Sequence, residues 1–511
     1  MMDMKFTKHS VKTEELIVSD TFEFQMEETA QIHCGNEVKR IIKCSSKSVL
    51  TSEYISDKTI TFEGTVTVCI IYIDGKNCLA NHEHTMFFSK TIETNYDLSH
   101  AEVEGKVCDD KFTVKLKNDG CVSIIGSVCV QYSAYKTHNK EIVCDIDSRI
   151  IEQLRENTEC TTPTGKGEKN LVIEEEISIG NSQPSVESLI RSNAVAVIDD
   201  TKIMGGKVMV KGTVKTYVLY QTTEGTRPQS FAEDFPFSQM VDVEGIHDNC
   251  KCDSEVKVVF CELTPRPSQD EEIRSFSVAL KLAVSVKAYC DEEIPAVVDA
   301  YSTGTGYNFV KDKFTFKKIK ESFSESFVAK KNLEFTDGAI GSVIDMWCEN
   351  KSSSSKFENN TLKISGTMIV SLLVYDCDGS PECFERPVDF EYTYTSKEPM
   401  NNPMAVYDIS VKHCSYTITG ANTITVAIEP QVSIKLYDTL QYELITDAFE
   451  DENCCSDKKF DSSIVLYFAD EGEKIWDIAR RYNSSVEEIK ALNNIREDIL
   501  TESKKFIIPT K

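Results

Sequence analysis

One strand-like stretch, with Gly-Thr at its centre, occurs three times in the chain: Ile60–Tyr72, Val208–Tyr220 and Leu362–Tyr375. Each copy alternates apolar and polar residues, places Gly64-Thr65, Gly212-Thr213 or Gly366-Thr367 in the middle, and ends in an aliphatic pair with a Tyr close behind. Alternation of this kind marks a strand with one buried face. Glycine inside such a strand marks a bulge or a close backbone approach.

The copies hold register at further points. Twenty-three residues before each Gly stand Ile41-Ile42-Lys43, Leu189-Ile190-Arg191 and Val343-Ile344-Asp345. Downstream, a second alternating strand ends in Tyr135, Tyr289 and Tyr437, at offsets of 71, 77 and 71 residues, and ten residues past each Tyr comes Asp145, Asp299 or Asp447. The longer middle offset fits the polar insert Thr264–Glu272. The glycines are spaced by 148 and 154 residues, so each copy is a whole domain and not a solenoid unit of about 20–50 residues. The expected architecture is mainly β. Three antiparallel, sandwich-type domains at 10–150, 171–301 and 311–449 stand in series, and a small unit follows at 463–511.

Charge and cysteine content narrow the function classes. A net charge of −27 opposes nucleic-acid binding, which needs a basic footprint, and opposes adhesion to anionic lipid. The first ten residues lack the apolar core of a signal peptide, and no stretch approaches the roughly 20 apolar residues of a membrane span. Nineteen Cys fall at positions the copies do not share. The expectation is a set of reduced thiols in a chain that works inside the cell that makes it.

Asp74-Gly75, Asn118-Asp-Gly120 and Asp376-Cys-Asp-Gly379 read as hairpin turns, and Glu37–Lys43 as a possible helical turn or two. Ile151–Asn170, broken by Pro163, Gly165 and Gly167, and Glu450–Lys459 read as linkers. Ser302–Tyr307 marks the join between copies two and three, and Lys351–Lys356 an exposed loop. After Ser463 the pattern changes. Leu466-Tyr-Phe is a short strand, and Ile475, Ile478, Ala479 and Tyr482 recur at helical spacing. Ser485-Val-Glu-Glu488 reads as a capping box ahead of Val486, Ile489 and Leu492, and Phe506–Pro509 closes as a strand. This β-α-α-β unit carries nine acids against eight bases, so almost all the negative charge belongs to the repeats.

These C-terminal residues resemble a LysM domain: Leu466-Tyr467, Gly472–Trp476, Ile478-Ala479, Tyr482, Val486–Ile489, Ala491–Asn493 and Ile507–Pro509. The resemblance implies a shallow groove between two loops, binding chitin-like or peptidoglycan glycans or a protein, at Gly472, Glu473, Lys474, Ile475, Asn494, Ile495, Arg496 and Asp498. It implies a core of Trp476, Ile478, Tyr482, Ile489, Leu492 and Ile508. Two departures stand out. The family's Gly-Asp-Thr is Gly472-Glu473-Lys474 here, and its Pro-Gly-Gln is Glu502-Ser503-Lys504.

The three β copies resemble SPOCS domains of sporulation proteins, and three such copies followed by one LysM is the layout of clostridial spore coat morphogenetic proteins. That resemblance implies a scaffold in the mother-cell cytoplasm, concentrated at the forespore surface. It also implies other coat proteins as partners, and a coat basement-layer ATPase of the SpoIVA type met through the LysM end.

No enzyme is expected, and no cofactor. Gly165-Lys166-Gly167 lacks the rest of a phosphate-binding loop, and no Gly-x-Ser-x-Gly elbow occurs. His82-Glu-His84 reads as a polar loop and Cys250-x-Cys252 as incidental thiols, so no metal site is expected. Asp376–Glu382 lacks the spacing of a calcium loop. For Asp145, Asp299 and Asp447 the expected role is to cap the last strand by bonding to backbone.

Overall fold

Alternation carries through each copy into six antiparallel strands. In the computed structural model, which describes residues 5–32, 38–117, 120–180, 182–223, 227–267, 272–304, 306–335, 340–420, 422–450 and 462–510, the first copy comprises β1 (Lys5–Gln31), β2 (Val38–Ser56), β3 (Thr59–Asp74), β4 (Leu79–Glu93), β5 (Ala101–Leu116) and β6 (Cys121–Asp147). The second comprises β7 (Ile151–Ser178), β8 (Val186–Met204), β9 (Lys207–Thr222), β10 (Gln229–Asp242), β11 (Lys251–Pro267) and β12 (Ile273–Ser302). In the third, the first strand is split into β13 (Tyr307–Ser326) and β14 (Ala329–Glu334), followed by β15 (Ile340–Glu358), β16 (Thr361–Asp376), β17 (Pro381–Thr395), β18 (Pro403–Gly420) and β19 (Thr423–Glu450).

Each copy is a sandwich of two three-stranded layers, which in the second copy are joined into one six-stranded sheet where Ile273 of β12 pairs with Val186 of β8. In the first these are β1-β6-β5 and β2-β3-β4. The Gly-Thr strand is the middle strand of one sheet, and the long last strand is the middle of the other. Ile60, Phe62, Val66 and Ile70 of β3 join Val122, Ile124, Val128 and Val130 of β6 in one core. The glycine has a specific cause. Gly64, Gly212 and Gly366 lie directly opposite Phe88, Phe237 and Phe390 on the neighbouring strand. A Cβ on any of them would meet that ring at 2.5, 2.6 or 2.7 Å, and a carbonyl of the other neighbour closer still. The strand on the other side is bulged close by: its register shifts directly after Leu50 and Ile198, the partners of Gly64 and Gly212, and after Asn350, three residues short of Ser353, the partner of Gly366. The Phe ring thus covers the missing side chain.

The copies are not in series. They close on one another, first to second, second to third and third to first. Lys166 pairs with Glu102 at 2.6 Å, Arg191 with Asp345 at 3.1 Å and Arg40 with Glu382 at 2.6 Å. Two of the sequence anchors build the shared centre. Ile42, Ile190 and Ile344 are each skipped in strand pairing, and a bulge of this kind re-aims a side chain. They meet Ile71, Leu219 and Leu373, the second members of the three aliphatic pairs, in one apolar plug with Trp347. The first members, Ile70, Val218 and Leu372, stay in their own cores. At Tyr135, Tyr289 and Tyr437 the first strand of each copy is bulged again. Lys435 lies 4.4 Å from the Tyr289 ring and 5.7 Å from the Tyr437 ring. Beyond these tyrosines, three two-stranded ribbons run on and pack together around Val11, Ile142, Ile294, Ala296, Phe314 and Leu444.

Several expectations are corrected. Ile151–Asn170 is no linker but most of β7, paired with β12 from Ile151↔Ser302 onward. Gly165 and Gly167 are there because Glu244 and Asp242 carbonyls lie against them. Val38–Lys43 is strand and not helical turn, Lys351–Lys356 belongs to an exposed stretch of β15, and His82–His84 lies in β4. The turns hold: Asp74 Oδ1 accepts the amides of Lys76 and Cys78, and Asp376 Oδ1 those of Asp378 and Ser380. Residues 118 and 119, 268–271 and the 451–459 linker lie outside the described residues. Cys250 and Cys290 are disulfide-bonded, against the expectation of thiols throughout.

Two outcomes test this packing. Gly212→Ala is expected to lower stability by roughly 1–3 kcal/mol in denaturant titration, with only partial recovery in Gly212→Ala/Phe237→Leu, because the carbonyl contact remains. Arg191 stacks on Trp347 at 4.3 Å and neutralises Asp345, whose carboxyl burial pushes above its usual range while Arg191 pulls it back. Arg191→Leu strands that carboxylate and is expected to cost about 3–5 kcal/mol, most of it regained in Arg191→Leu/Asp345→Leu.

Candidate functional site

The C-terminal unit is β20 (Ile464–Ala469), α1 (Ile475–Tyr482), α2 (Val486–Asn493) and β21 (Lys504–Pro509), with β20 and β21 antiparallel from Ile464↔Pro509 to Ala469↔Lys504. Both helices end on an asparagine in the left-handed region, Asn483 at φ 47° and Asn494 at φ 54°, a conformation Asn tolerates well. Ser485 precedes α2 but its side chain makes no cap bond, so the expected capping box does not form.

The residues assigned to a groove separate into two groups. Gly472, at φ +87°, donates to the Leu500 carbonyl at 2.8 Å, Leu500 donates to Glu473 at 3.0 Å, and Ile475 donates to Asp498 at 2.9 Å. These backbone bonds stitch the two loops together. Ile475 is fully buried and belongs to the core. The Glu473 carboxylate turns inward to the Tyr467 hydroxyl at 2.8 Å and the Asp470 amide at 3.0 Å. Lys474, Asn494, Arg496 and Asp498 are exposed and Ile495 is half-buried. Of the expected core, Ile478, Ile489 and Ile508 are fully buried, and Tyr482 packs edge-on to Tyr467 at 5.7 Å. Leu492 is 51% exposed and is not core, because α2 turns that side away from the sheet.

Trp476 does something the sequence pattern did not suggest. Its ring meets Tyr301 of β12 edge-on at 5.0 Å, and its indole N–H donates to Asp299 Oδ2 at 2.9 Å. Arg480 donates to the same oxygen at 2.6 Å, while Lys311 of the third copy holds Oδ1 at 2.9 Å. The Tyr301 hydroxyl donates to the Ser484 carbonyl at 2.7 Å. Tyr301 is 7% exposed and belongs to the apolar cluster of the C-terminal unit, and burial pushes its phenol upward. The unit is therefore seated on the second ribbon. Asp299 is a seat here and not a strand cap, and Asp145 is likewise bound by Gln153 and Arg155 of β7. Asp447 alone of the three bonds backbone, at the Ala448 amide.

A second surface also escaped the sequence reading. Ile464, Leu466 and Phe468 on β20 and Ile507 on β21 are 55%, 56%, 73% and 37% exposed, on the sheet face opposite the helices. The signal was present: Ile464–Ala469 is apolar at both alternations, which a two-stranded sheet with one covered face does not need.

Comparison with known proteins agrees with this architecture. The family described as "SipL, SPOCS domain" matches residues 37–115 and 185–265, and the LysM domain family matches 470–509. The chain thus carries SipL-type SPOCS domains and a C-terminal LysM domain, a combination that supports a sporulation coat-related protein. The third copy, outside those matches, repeats the same strand order. No curated protein and no solved structure matches the chain.

Tyr301→Ala is expected to remove roughly 3–5 kcal/mol, as other buried aromatic truncations do, and to release the LysM domain from its seat. Trp476 emission should shift to the red; an unchanged spectrum in the variant would show that the seat is not made.

Proposed function

We propose that the chain is a non-enzymatic scaffold of spore coat assembly, acting in the mother cell at the forespore surface, whose three SPOCS copies present the LysM domain to a coat basement-layer ATPase of the SpoIVA type. The observation that carries this reading is the bare apolar sheet face of the LysM domain, Ile464, Leu466, Phe468 and Ile507. A contiguous exposed apolar face fits a protein surface. Beside it on β21, Lys504 and Lys505 are exposed on a domain of nearly balanced charge, so an acidic rim on the partner would be met favourably.

The second reading is peptidoglycan binding through the loops, and the LysM match itself favours it. The loops bear on it through Glu473: its carboxylate is turned inward, so the exposed polar groups left to meet a sugar are Lys474, Asn494, Arg496 and Asp498.

Leu466→Glu and Phe468→Glu in the full chain are expected to weaken capture of the purified ATPase about thirtyfold each, the scale of an interface hot spot of about 2 kcal/mol. Circular dichroism would stay native, because both side chains point to solvent. Undiminished ATPase capture by both variants, together with sedimentation of the chain with purified peptidoglycan, would overturn the scaffold reading in favour of the glycan one.

A further inference from the structure

The second copy holds a side-chain cluster that its two siblings lack. Lys251 pairs with Tyr289 across β11 and β12, and at the next position outward Cys250 faces Cys290, their Cα atoms 4.4 Å apart. In the first copy the corresponding pair is Ala101 and Lys136, and in the third it is Pro403 and Asp438. The sandwich closes without a thiol pair at this position in both, so the fold does not require one here. Both cysteines are 7% exposed.

A histidine joins them. The turn leading to β11 places Gly245 at φ +77° and folds back so that the Cys250 amide donates to the His247 carbonyl at 2.9 Å. This brings His247 Nε2 to 3.6 Å from Cys290 Sγ, and the three ligand atoms of His247, Cys250 and Cys290 all lie within 4.8 Å of one another. Zinc takes thiolate sulfur at about 2.3 Å and imidazole nitrogen at about 2.0–2.1 Å. A tetrahedral angle between those bonds separates sulfur from nitrogen by about 3.6 Å, the spacing found here. The Thr164 hydroxyl, 2.9 Å from Cys290 Sγ, donates to that sulfur, as outer groups do around metal-bound thiolates. His247 is exposed, which leaves a fourth position to water.

We propose that in its reduced form the second copy binds one zinc-class divalent cation through His247 Nε2, Cys250 Sγ and Cys290 Sγ, and that the Cys250–Cys290 disulfide is the metal-free, oxidised form of the same site. The interconversion balances. An external thiol or phosphine reductant delivers two electrons, the Sγ–Sγ bond breaks, two protons are taken up from solution, and the reductant is oxidised. The cation then displaces two protons as the thiolates and the neutral imidazole bind it. The two states exclude each other, so the cluster reports the thiol balance of its surroundings as bound or released metal.

Cobalt(II) is the probe. The full chain, reduced with a phosphine and freed of it without air, is titrated with cobalt(II) and then with zinc(II). The expected result is one equivalent of cobalt with a thiolate charge-transfer band, bleached by zinc, and no band in the oxidised chain. Cys250→Ala and Cys290→Lys install the first copy's residues and are expected to remove the band while circular dichroism stays native. His247→Ala, at an exposed turn, is expected to weaken binding at least about tenfold. A reduced chain without the band overturns the proposal, as does a band that survives in both cysteine variants, which is an adventitious ion on the other thiols only. Affinity unchanged by His247→Ala overturns it too.

Discussion

The apolar plug where Ile42, Ile190 and Ile344 meet Ile71, Leu219 and Leu373 is the contact on which the remaining architecture rests. Each of these side chains stabilises by about 1.5–3 kcal/mol when fully buried, and none can be buried by one copy alone. Their own sandwiches are already filled by Ile70, Val218 and Leu372. Closure of the three copies follows from that surplus of aliphatic surface, and the ion pairs around it set register more than they add stability. Arg191–Asp345 shows why: a pair this buried must repay desolvation before it contributes anything.

Most of this was legible as recurrence and little of it as meaning. The Gly-Thr strand, the aliphatic pair and the terminal Tyr were visible because all three copies need them. A strand pattern says that Ile71 and Leu219 are apolar, but both faces of β3 and β9 are apolar at that end, and nothing in a period of two tells an own core from a shared one. Ile42 and its partners were anchors without a role, since a bulge leaves no mark in composition. The misreading of Ile151–Asn170 has the opposite origin. Gly165 and Gly167 look like flexibility, and they are there because another backbone comes too close for a side chain. Pro163 sits at the bulge opposite Tyr289, where no ladder amide is asked of it.

The LysM core could be named from spacing because helical period places Ile478 and Ile489 on one side whatever their partners. Leu492 follows the same period and is exposed, because α2 lasts eight residues and the sheet beneath is two strands wide. The seat on Asp299 and Tyr301 was out of reach. It joins residues 177 and 181 positions apart, and no local pattern on either side points to the other. The recurrence of Asp at three positions even suggested one shared role, where the structure shows different uses.

That divergence has a consequence for symmetry. Two residues past the three aspartates stand Asp147, Tyr301 and Phe449, and only Tyr301 is seated beneath the LysM domain. Three identical subunits closed in the same way would have offered three equal seats. Written as one polypeptide, the same arrangement has three different corners, so this LysM domain sits at one of them with a defined handedness relative to the rest. A partner that approaches the three corners in turn would therefore meet three different surfaces, with the LysM domain at only one of these three.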